Sequence, residues 1–271
     1  MSAPTHRLAT AAGTEILAGP HAVLEAMRAG RRTLHRIYLA RQEKGDAIEA
    51  ILRGARERGV PVVVRPRGDL DRLAGGAAHQ GVVAEAGTFP YLEPEEVVAR
   101  ALRGPGAALL VVLDGIQDPH NLGAIIRTAE AAGAHGLILP RDRAAPITAA
   151  AVRSSAGATE HLAVGQVTNL AAFLEWLKTQ GVWVVGADPV GGRLLYAVDL
   201  TGPLALVIGA EGRGLRPLVK SRCDLHVRVP VVGKVGSLNA SCAAAICIFE
   251  VIRQRQGDKG AHRLTKIGEN G

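Results

Sequence analysis

The sequence predicts an α/β protein, with a mostly parallel sheet in its C-terminal part and a smaller α/β unit in its N-terminal part. Two observations lead to this fold class. Short apolar runs alternate with stretches whose apolar residues recur at helical spacing, which is the pattern of strand-helix units. Two of the runs, residues 109–113 and 204–208, are almost continuously apolar, as expected of strands that helices cover on both faces.

The N-terminal unit is expected to contain short strands and helices. Residues 13–32 predict a turn followed by a helix, because Val23, Leu24 and Met27 lie at helical spacing. The segments that follow are predicted as strands at residues 37–40, 60–64 and 81–86, and as a helix at residues 47–58.

The end of the first predicted helix is basic, with Arg28, Arg31 and Arg32 close together. Such a cluster is expected either to contact an anionic partner or to form a solvated helix end whose cations complement the helix dipole. Both interpretations place the three guanidinium groups at the surface.

Residues 88–106 have the composition of a domain junction. Three prolines, Pro90, Pro94 and Pro105, surround one short charged helix predicted at residues 95–103. The predicted organisation is an N-terminal extension (1–13), a first folded unit (14–87), a linker (88–106), a second folded unit (107–255) and a basic, loosely ordered tail (256–271).

The composition bounds the class of partner. The chain has 271 residues, of which 48% are apolar, so it can bury a core and is not a disordered protein. Its formal net charge of +7 favours an anionic partner, because clustered cations release the counterions condensed on phosphates. Only 3% of residues are aromatic, which argues against a platform that stacks bases and favours recognition of shape and backbone.

The three cysteines, Cys223, Cys242 and Cys247, form neither a CxxC pair nor an even disulfide framework. We therefore expect them to be small buried apolar residues, and we expect no metal site. No stretch reaches the roughly 20 apolar residues that a membrane span needs, and the first residues lack a signal-peptide pattern. The sequence predicts a soluble cytoplasmic protein.

The first candidate site is the long turn after the apolar run 109–113. Asn121 suits a helix N-cap there, and Arg127 lies opposite the apolar face of the helix that follows. On structural grounds alone, Asn121 could merely cap and Arg127 could pair with Glu130. A long turn at the carboxyl edge of a parallel sheet is, however, where α/β proteins tend to bind ligands.

The second candidate site is the loop Gly209-Ala210-Glu211-Gly212-Arg213-Gly214 after the apolar run 204–208. Its glycines permit positive φ angles and the close approach of a ligand to the backbone. The loop matches neither GxGxxG nor GxxxxGK[ST], and Glu211 would repel a phosphate. It therefore predicts either a site that needs a carboxylate or a simple turn with a solvated glutamate.

The third candidate site is Ser237-Leu238-Asn239, which begins a helix predicted over residues 237–253. Ser237 suits the N-cap of this helix. Asn239, inside the first turn, has little reason to be there except a polar contact. The core positions of the helix are predicted to be Ile246, Phe249 and Ile252.

In this order, the three segments resemble the motifs of the RNA 2'-O-methyltransferases of the trefoil-knot (SPOUT) superfamily, TrmH branch. One such match would be weak, but three in this order and spacing are highly specific. The N-terminal unit extends the resemblance through Gly19-Pro20-His21-Ala22-Val23 and His79-Gln80-Gly81. These resemble a substrate-recognition domain that is similar to certain RNA-binding ribosomal proteins. It occurs in family members that methylate a guanosine ribose in the peptidyl-transferase region of bacterial 23S rRNA.

The resemblance spans about residues 14–254 and implies a deep trefoil knot in the C-terminal unit, a homodimer, and S-adenosyl-L-methionine (AdoMet) as methyl donor. It implies catalytic roles for Asn121, Arg127, Glu211, Ser237 and Asn239. It implies cofactor contacts around Ile208, Gly209, Ala210, Gly214, Val229, Pro230 and Leu238. With the basic cluster included, the predicted RNA contacts are Arg28, Arg31, Arg32, His79, Gln80 and Arg127.

The family suggests Arg127 as the base, but a guanidinium with a pKa above about 12 stays charged. Our hypothesis is that Arg127 binds the phosphate beside the target ribose, while Asn121 and Glu211 fix its orientation. Glu211 or a phosphate oxygen would accept the proton. Ser237 and Asn239 would hold the ligand and close the loop.

Two alternatives remain at this point. The first is the same reaction on another RNA, either a tRNA ribose or an antibiotic-resistance site in rRNA. The second is a non-catalytic RNA-binding or ribosome-assembly protein that keeps the fold without the reaction.

Overall fold

The computed structural model describes residues 13–234 and 236–257 of the chain. The described elements form two sheets, one of four strands and one of seven, with helices around them. The predicted α/β class is therefore confirmed. Residues 1–12 and 258–271, which make up almost all of the predicted extension and tail, lie outside the described residues.

The first sheet has the order β1-β4-β2-β3. β4 pairs antiparallel with both β1 and β2, while β3 is parallel to β2. Its elements are β1 Thr14–Ala18, α1 Pro20–Ala29, β2 Leu34–Ala40, α2 Asp46–Arg58, β3 Val62–Arg65, α3 Arg67–Leu73 and β4 Val82–Gly87.

The first helix of this sheet is bounded by backbone-specific residues. Pro20 occupies its first turn, where a missing N–H costs nothing, and Gly30 ends it with φ 61°. Strand β1 occupies part of the segment that the sequence predicted as a turn. Its five residues are too short a run for an alternating pattern to stand out.

The second sheet has the order β7-β6-β5-β10-β8-β11-β9, and all its pairings are parallel. Its strands are β5 Leu109–Asp114, β6 Gly136–Pro140, β7 Val164–Val167, β8 Trp183–Ala187, β9 Arg193–Leu194, β10 Leu204–Gly209 and β11 Leu225–Arg228. Its helices are α4 Pro94–Arg103, α5 Pro119–Ala131, α6 Ala149–Ser154, α7 Leu170–Thr179, α8 Pro217–Ser221 and α9 Ala240–Gln256, with 3₁₀ turns at Ala158–Glu160 and Leu195–Ala197.

The two apolar runs that predicted buried parallel strands are neighbours at the centre of this sheet. Leu109 to Asp114 pair in register with Leu204 to Gly209. All six residues of β5 and the first five of β10 are buried. A sheet covered on both faces accounts for their unbroken apolar composition.

The predicted linker is partly built into the second unit. Its helix, α4, buries Val97, Val98 and Ala101 in the same core as Leu110 and Val112 of β5. Prolines and charges marked the ends of this segment, while the helix between them packs as a structural element.

The last helix starts later and faces differently from the prediction. α9 begins at Ala240, and its buried side includes Ala244, Cys247 and Ile248, whereas Phe249 is 50% exposed. Small residues line the buried side because the helix packs closely against α5 and β10. Of the predicted core residues, Ile246 and Ile252 are half-buried against the core, and only Phe249 is exposed. The fully buried Ile248 was not among those predicted.

None of the helices in the described ranges has both the length and the apolar composition needed to cross a bilayer. Within the same ranges, no three side chains of His, Cys, Asp or Glu gather as metal ligands would. The trefoil knot that the resemblance implies concerns how the chain threads through these elements, and it stays a prediction.

Candidate active site

The carboxyl ends of β5, β8, β10 and β11 meet at one edge of the second sheet. In open parallel sheets this edge is the usual place for ligands, because loops rather than helices cover it. The three segments singled out by sequence all approach it. The first follows β5, the second follows β10, and the third lies between β11 and α9.

The glycine loop after β10 is held in shape by its own backbone. Ala210 and Gly214 exchange two N–H to carbonyl hydrogen bonds of 3.1 and 2.8 Å. Gly212 and Gly214 have φ angles of 72° and 65°, which disfavour any residue with a side chain. A Cβ on Gly209 would lie 2.2 Å from the carbonyl carbon of Gly214. The glycines thus serve the close approach of the loop to itself, and the loop presents Glu211 at its tip.

A cavity lies between this loop, the segment after β11 and the start of α9. Six of the seven residues predicted to contact the cofactor line it, together with Glu211 and Ser237, whereas Pro230 does not. The lining residues with predicted roles are Ile208, Gly209, Ala210, Gly214, Val229 and Leu238.

The cavity suits a ligand with a flat apolar part and polar ends. Val227, Val229 and Leu238 supply apolar wall, the glycine loop supplies backbone groups at close range, and Asp188 supplies a carboxylate. These residues fit AdoMet, which joins a purine ring to charged amino-acid groups.

Sequence reasoning missed Asp188 and Cys247 as cavity residues. Asp188 follows β8 at the same sheet edge, so its position after a strand was the available signal. It is buried, and it forms an ion pair with Lys220. Burial raises the pKa of the Cys247 thiol to about 12, which keeps it protonated at neutral pH. A neutral thiol is a poor nucleophile toward a methyl donor.

Asn239 connects the three segments. Its side-chain amide donates from Nδ2 to Oδ1 of Asn121 at 3.0 Å and to Oε1 of Glu211 at 2.7 Å. Its Oδ1 accepts from the backbone N–H groups of Ser241 and Cys242, at 2.9 and 3.4 Å. Asn239 is therefore the N-cap of α9 as well as a polar bridge.

This arrangement corrects two predicted caps. Asp118 caps α5 by accepting from the His120 N–H at 3.0 Å, and Asn121 lies within the first turn. Asn239, not Ser237, caps α9. Each cap was misjudged because several polar residues stand close together, and only the backbone geometry decides which one caps.

The hydrogen bonds also orient the amide of Asn121. Because its Oδ1 accepts from Asn239, its Nδ2 turns away from that bridge. Asn121 and Glu211 both line a neighbouring cleft of about 1290 Å³, whose wall includes Arg143, Arg213 and Arg216. Glu211 lines the first cavity too, so the two spaces meet at this carboxylate.

One arginine of the cleft already forms an ion pair within the protein. Arg216 donates from Nε to Oδ1 of Asp114 at 2.6 Å and from its backbone N–H to Oδ2 at 2.8 Å. Asp114 is buried at the end of β5, so this pair ties β5 to the segment after the glycine loop. Arg143 and Arg213 are exposed and have no such buried partner among the described residues.

Arg127 is exposed on the side of α5 opposite the core, as predicted. Within the described part of the chain, no hydrogen bond or ion pair engages its guanidinium, so the alternative pairing with Glu130 is absent. The structure does not bring Arg127 into contact with Asn121 or Glu211. The hypothesis that those two residues orient it has no support from this geometry.

The basic cluster after α1 is not the surface patch that the sequence suggested. Arg28 is exposed and pairs with Glu25 on its own helix. The side chain of Arg32 is only 1% exposed, and Arg31 donates to the carbonyl oxygens of Glu160 and Leu162 at 3.4 and 2.7 Å. Arg31 and Arg32 thus contact the second unit and are corrected from RNA contacts to structural residues.

The two polar residues before β4 also differ from each other. His79 is 3% exposed, with Nε2 placed 2.8 Å from Asp71 and Nδ1 accepting the Gly81 N–H at 3.1 Å. It shapes the turn and is corrected from an RNA contact to a buried residue. Gln80 is exposed at the tip of that turn with φ 47°.

Comparison with known families follows the same division of the chain. The SpoU rRNA Methylase family matches residues 108–249, and the family described as RNA 2'-O ribose methyltransferase substrate binding matches residues 16–92. The first match holds every predicted catalytic residue, and the second holds the four-stranded sheet.

Among curated proteins, the 23S rRNA (guanosine-2'-O-)-methyltransferase RlmB of Bordetella pertussis is 42% identical over 91% of this chain and 100% of its own length. RlmB of Pseudomonas aeruginosa is 40% identical over 88% of this chain and 95% of its own length.

A solved structure adds the cofactor. The SpoU methyltransferase AviRb of Streptomyces viridochromogenes, in complex with AdoMet, has a TM-score of 0.74 at 28% identity. The match covers 90% of this chain and 91% of that one. The site at the sheet edge and these similarities together lead to one conclusion. The chain belongs to the SpoU rRNA methylase family and is an AdoMet-dependent RNA 2'-O-methyltransferase.

Proposed function

We propose that this protein methylates the ribose 2'-OH of a guanosine in the peptidyl-transferase region of bacterial 23S rRNA. The observation that carries the proposal is the hydrogen-bonded group of Asn121, Glu211 and Asn239, set between the cofactor cavity and the cleft that contains Arg143 and Arg213. Curated relatives at 40% and 42% identity over nearly the whole chain are named 23S rRNA (guanosine-2'-O-)-methyltransferases. The protein would act in the cytoplasm, where rRNA is available.

Different residues of the site bind the methyl donor and the RNA. When bound, AdoMet supplies an electrophilic methyl group that the ribose oxygen attacks in line. The glycine loop and the apolar wall at Val229 and Leu238 hold the donor on one side of Glu211. The cleft that contains Asn121 holds the RNA on the other side. The amide of Asn121 then donates to the substrate, because its oxygen is already engaged.

Glu211 is the proton acceptor in this proposal. One of its carboxylate oxygens accepts from Asn239, which fixes the carboxylate at the border of the two spaces. A carboxylate held in this place is within reach of a hydroxyl group in the cleft. It is not within reach of a phosphate group bound to the glycine loop. A phosphate oxygen of the RNA itself is the other possible acceptor. Arg127 binds the phosphate next to the target ribose and so favours the developing negative charge on the attacking oxygen.

The functional form is proposed to be a homodimer, as the family resemblance implies. Half-exposed Phe249 on α9 supports this, because a large apolar side chain at the surface gains from burial against another chain. Sedimentation equilibrium of the purified protein tests it, and a monomer at micromolar concentration would contradict the proposal.

The target is tested by mass spectrometry of rRNA and tRNA from a strain that lacks the gene. We expect one 2'-O-methylguanosine to disappear from 23S rRNA and to return with a plasmid-borne copy. A Glu211→Gln copy is expected not to restore it. Loss of a methyl group from tRNA, or from a different rRNA site, would overturn the proposed target while leaving the reaction intact.

Calorimetry with AdoMet separates the enzyme from a non-catalytic RNA-binding protein. We expect AdoMet to bind and to compete with S-adenosylhomocysteine for the same cavity. A protein that showed no heat of binding, and whose deletion removed no methyl group, would be an assembly factor.

A further inference from the structure

The first and second units touch through a compact group of charged residues. The segment after α1 carries Arg31 and Arg32, and it faces the 3₁₀ turn Ala158–Glu160 of the second unit. Helix α5 packs against both α6 and this 3₁₀ turn. The contact between the two units therefore lies on the side of α5 that faces away from solvent. It is separate from the cofactor cavity and from the cleft.

Arg32 and Glu160 form the centre of the group. Arg32 donates from Nε and Nη2 to the two carboxylate oxygens of Glu160, at 3.0 and 2.7 Å. Its Nη1 donates to Glu15 of β1 at 2.8 Å and to the carbonyl oxygen of Gly87 at 3.4 Å. The side chains of Arg32 and Glu160 are 1% and 0% exposed. The fork of a guanidinium fits this pattern, whereas an ammonium group could not fill it.

Further contacts surround the pair and restrict its movement. Arg31 donates to the backbone oxygens of Glu160 and Leu162, and the ring of Phe89 lies 5.1 Å from the Arg32 guanidinium. Two arginines face two glutamates, Glu15 and Glu160, so the group as a whole is electrically balanced. Balance of charge explains how Arg32 and Glu160 can be buried together, with Glu15 and Arg31 half-buried beside them.

The backbone of the two units also meets closely beside this group. A Cβ on Gly157 would lie 2.7 Å from Cβ of Glu25 and 3.3 Å from the carbonyl oxygen of His21, both on α1. His161 lies 2.7 Å from the Glu25 carboxylate. Helix α1 therefore rests directly on the turn that carries Glu160.

The contact is linked to the helix that bears Asn121. Ser154, at the end of α6, donates from Oγ to the carbonyl oxygen of His120 at 2.9 Å. A Cβ on Gly123 would lie 2.5 Å from the carbonyl oxygen of Ala151, so α5 and α6 approach to backbone contact. A displacement of the 3₁₀ turn would therefore also displace the first turn of α5.

A buried ion pair is a poor source of stability, because desolvation of the two charges offsets their attraction, yet it is demanding in geometry. We propose that the Arg32–Glu160 pair fixes one orientation of the RNA-binding unit relative to the methyltransferase unit. Arg32 is thereby a positioning residue that determines which nucleotide of the bound RNA reaches Glu211. The inference rests on the proposed function for its substrate, while the fixed orientation itself does not.

The test replaces both charges by apolar residues of similar size, in the variant Arg32→Met/Glu160→Met. It leaves one cation, Arg31, and one anion, Glu15, both half-buried, so the group stays neutral and the protein is expected to fold. The matched control is Arg72→Met/Asp69→Met, which removes an exposed pair lying wholly within the first unit. Spin labels at Arg53 and Gln180, introduced through a noncanonical amino acid, report the distance between the units and spare the three cysteines.

We expect one narrow distance in the unmodified protein and in the control, and a broad distribution in the Arg32→Met/Glu160→Met variant. KM for a 23S rRNA fragment is expected to rise about tenfold or more, with kcat and the Kd for AdoMet changed less than about threefold. An Arg32→Lys variant should also be broad. It serves as the test if the double variant fails to bind AdoMet.

A narrow distance and an unchanged KM in these variants would overturn the inference. If the unmodified protein methylated no rRNA at all, the proposed function would fail instead. The distance distributions would still decide whether the ion pair fixes the orientation.

Discussion

Asn239 shows how one amide can set the hydrogen-bonding direction of a whole site. Its oxygen is held by the first N–H groups of α9, so its nitrogen has to face Asn121 and Glu211. The end of a helix thus determines which atoms of Asn121 and Glu211 remain for the substrate. The direction is inverted only if the oxygen and nitrogen exchange places, which the helix N–H groups oppose.

Asn239→Asp is expected to lower activity strongly while leaving stability nearly unchanged. Aspartate caps a helix as well as asparagine, but it would place a carboxylate against Glu211 and donate to nothing. Loss of a hydrogen bond to a charged group costs about 1.5–3 kcal/mol, so kcat should fall by about 10- to 100-fold or more. Single-turnover methylation and thermal unfolding measure the two effects.

Asn169→Asp is the control, because Asn169 caps α7 by accepting from the Ala172 N–H and lies outside the site. It should keep both activity and stability. Equal activity of Asn239→Asp and the unmodified protein would refute the assigned role of the amide.

Arg127 leads to a different comparison. If it binds a phosphate, Arg127→Lys should keep part of the activity, because a lysine remains a cation, and Arg127→Ala should lose about 100-fold in single-turnover rate. The exposed position of Arg127 makes either change harmless to folding. Full activity in both variants would remove Arg127 from the mechanism.

Cys247 predicts a pH dependence of stability. Burial raises its thiol pKa from 9.0 to about 12, so the folded protein keeps a proton that the unfolded chain releases above pH 9. Stability contributed by this group is complete below pH 9 and is lost as pH rises toward 12. At pH 10 the loss should be about 1.4 kcal/mol. Thermal unfolding at pH 8 and 10 measures it, and Cys247→Ala should show the smaller decline.

For single residues, the sequence predicted the kind of interaction better than the location of the residue in the structure. Asn239 was expected to make a polar contact, and it makes two. Arg31 and Arg32 were expected at the surface, because an arginine cluster after a helix gives no sign that a glutamate 128 residues away will bury one of its members. Contacts between distant residues leave no local pattern.

At the scale of elements, the close packing of α5 against α6 depends on one residue without a side chain. Gly123 lies in the Asn-x-Gly segment of the first motif, where a ligand contact would be the first interpretation. The backbone of α6 fills the space around it, since a Cβ at this position would lie 2.5 Å from the carbonyl oxygen of Ala151. The glycine is therefore required by helix packing.

Gly123→Ala is expected to destabilise the protein by about 1–3 kcal/mol, because backbone atoms cannot move aside as side chains do. Gly54, also within a helix, is the matched control. There a Cβ would meet only the flexible end of Met27, at 2.7 Å. Gly54→Ala should be neutral or stabilising by up to about 1 kcal/mol. Denaturant unfolding of both variants checks this, and similar effects would contradict it.

Elements with strong periodicity were predicted well, and short ones were not. The continuous apolar runs gave β5 and β10, and the charged stretch gave α4 within one residue. Strand β1 and helix α8, each five residues long, lie below the length at which a period can be recognised. On α9, the predicted core face was displaced, since Phe249 is exposed while Ala244 and Ile248 are fully buried.

At the scale of the whole molecule, one cluster of buried side chains extends across both units. Val23 and Ile51 of the first unit belong to the same cluster of buried side chains as Leu122 and Leu206 of the second. Connected cores of this kind unfold together, because neither part keeps its apolar surface covered when the other opens. We therefore expect cooperative behaviour despite the presence of two sheets.

Calorimetry should show a single unfolding transition, and AdoMet at 100 times its Kd should stabilise the whole protein by about 2.7 kcal/mol. The ligand contacts only the second unit, so a shift of the entire transition reports the coupling. Two transitions, with only one moved by AdoMet, would show that the units unfold separately.

Neither the order of the strands nor the predicted knot could be inferred from the pattern of apolar residues. Apolar runs show that strands are buried but not which strand lies beside which, so β10 between β5 and β8 had no signature in the sequence. General topology rules disfavour knots, and only family resemblance suggested one.

The central place of β10 has a consequence for synthesis on the ribosome. Residues Leu109 and Leu204 are partners, yet the whole of β6, α6, β7, α7 and β8 is made between them. Until β10 emerges, β5 and β8 each present an unpaired apolar edge, which invites association with other nascent chains. The methyl-donor cavity needs β10, β11 and α9, so the enzyme becomes competent only after α9 has been made.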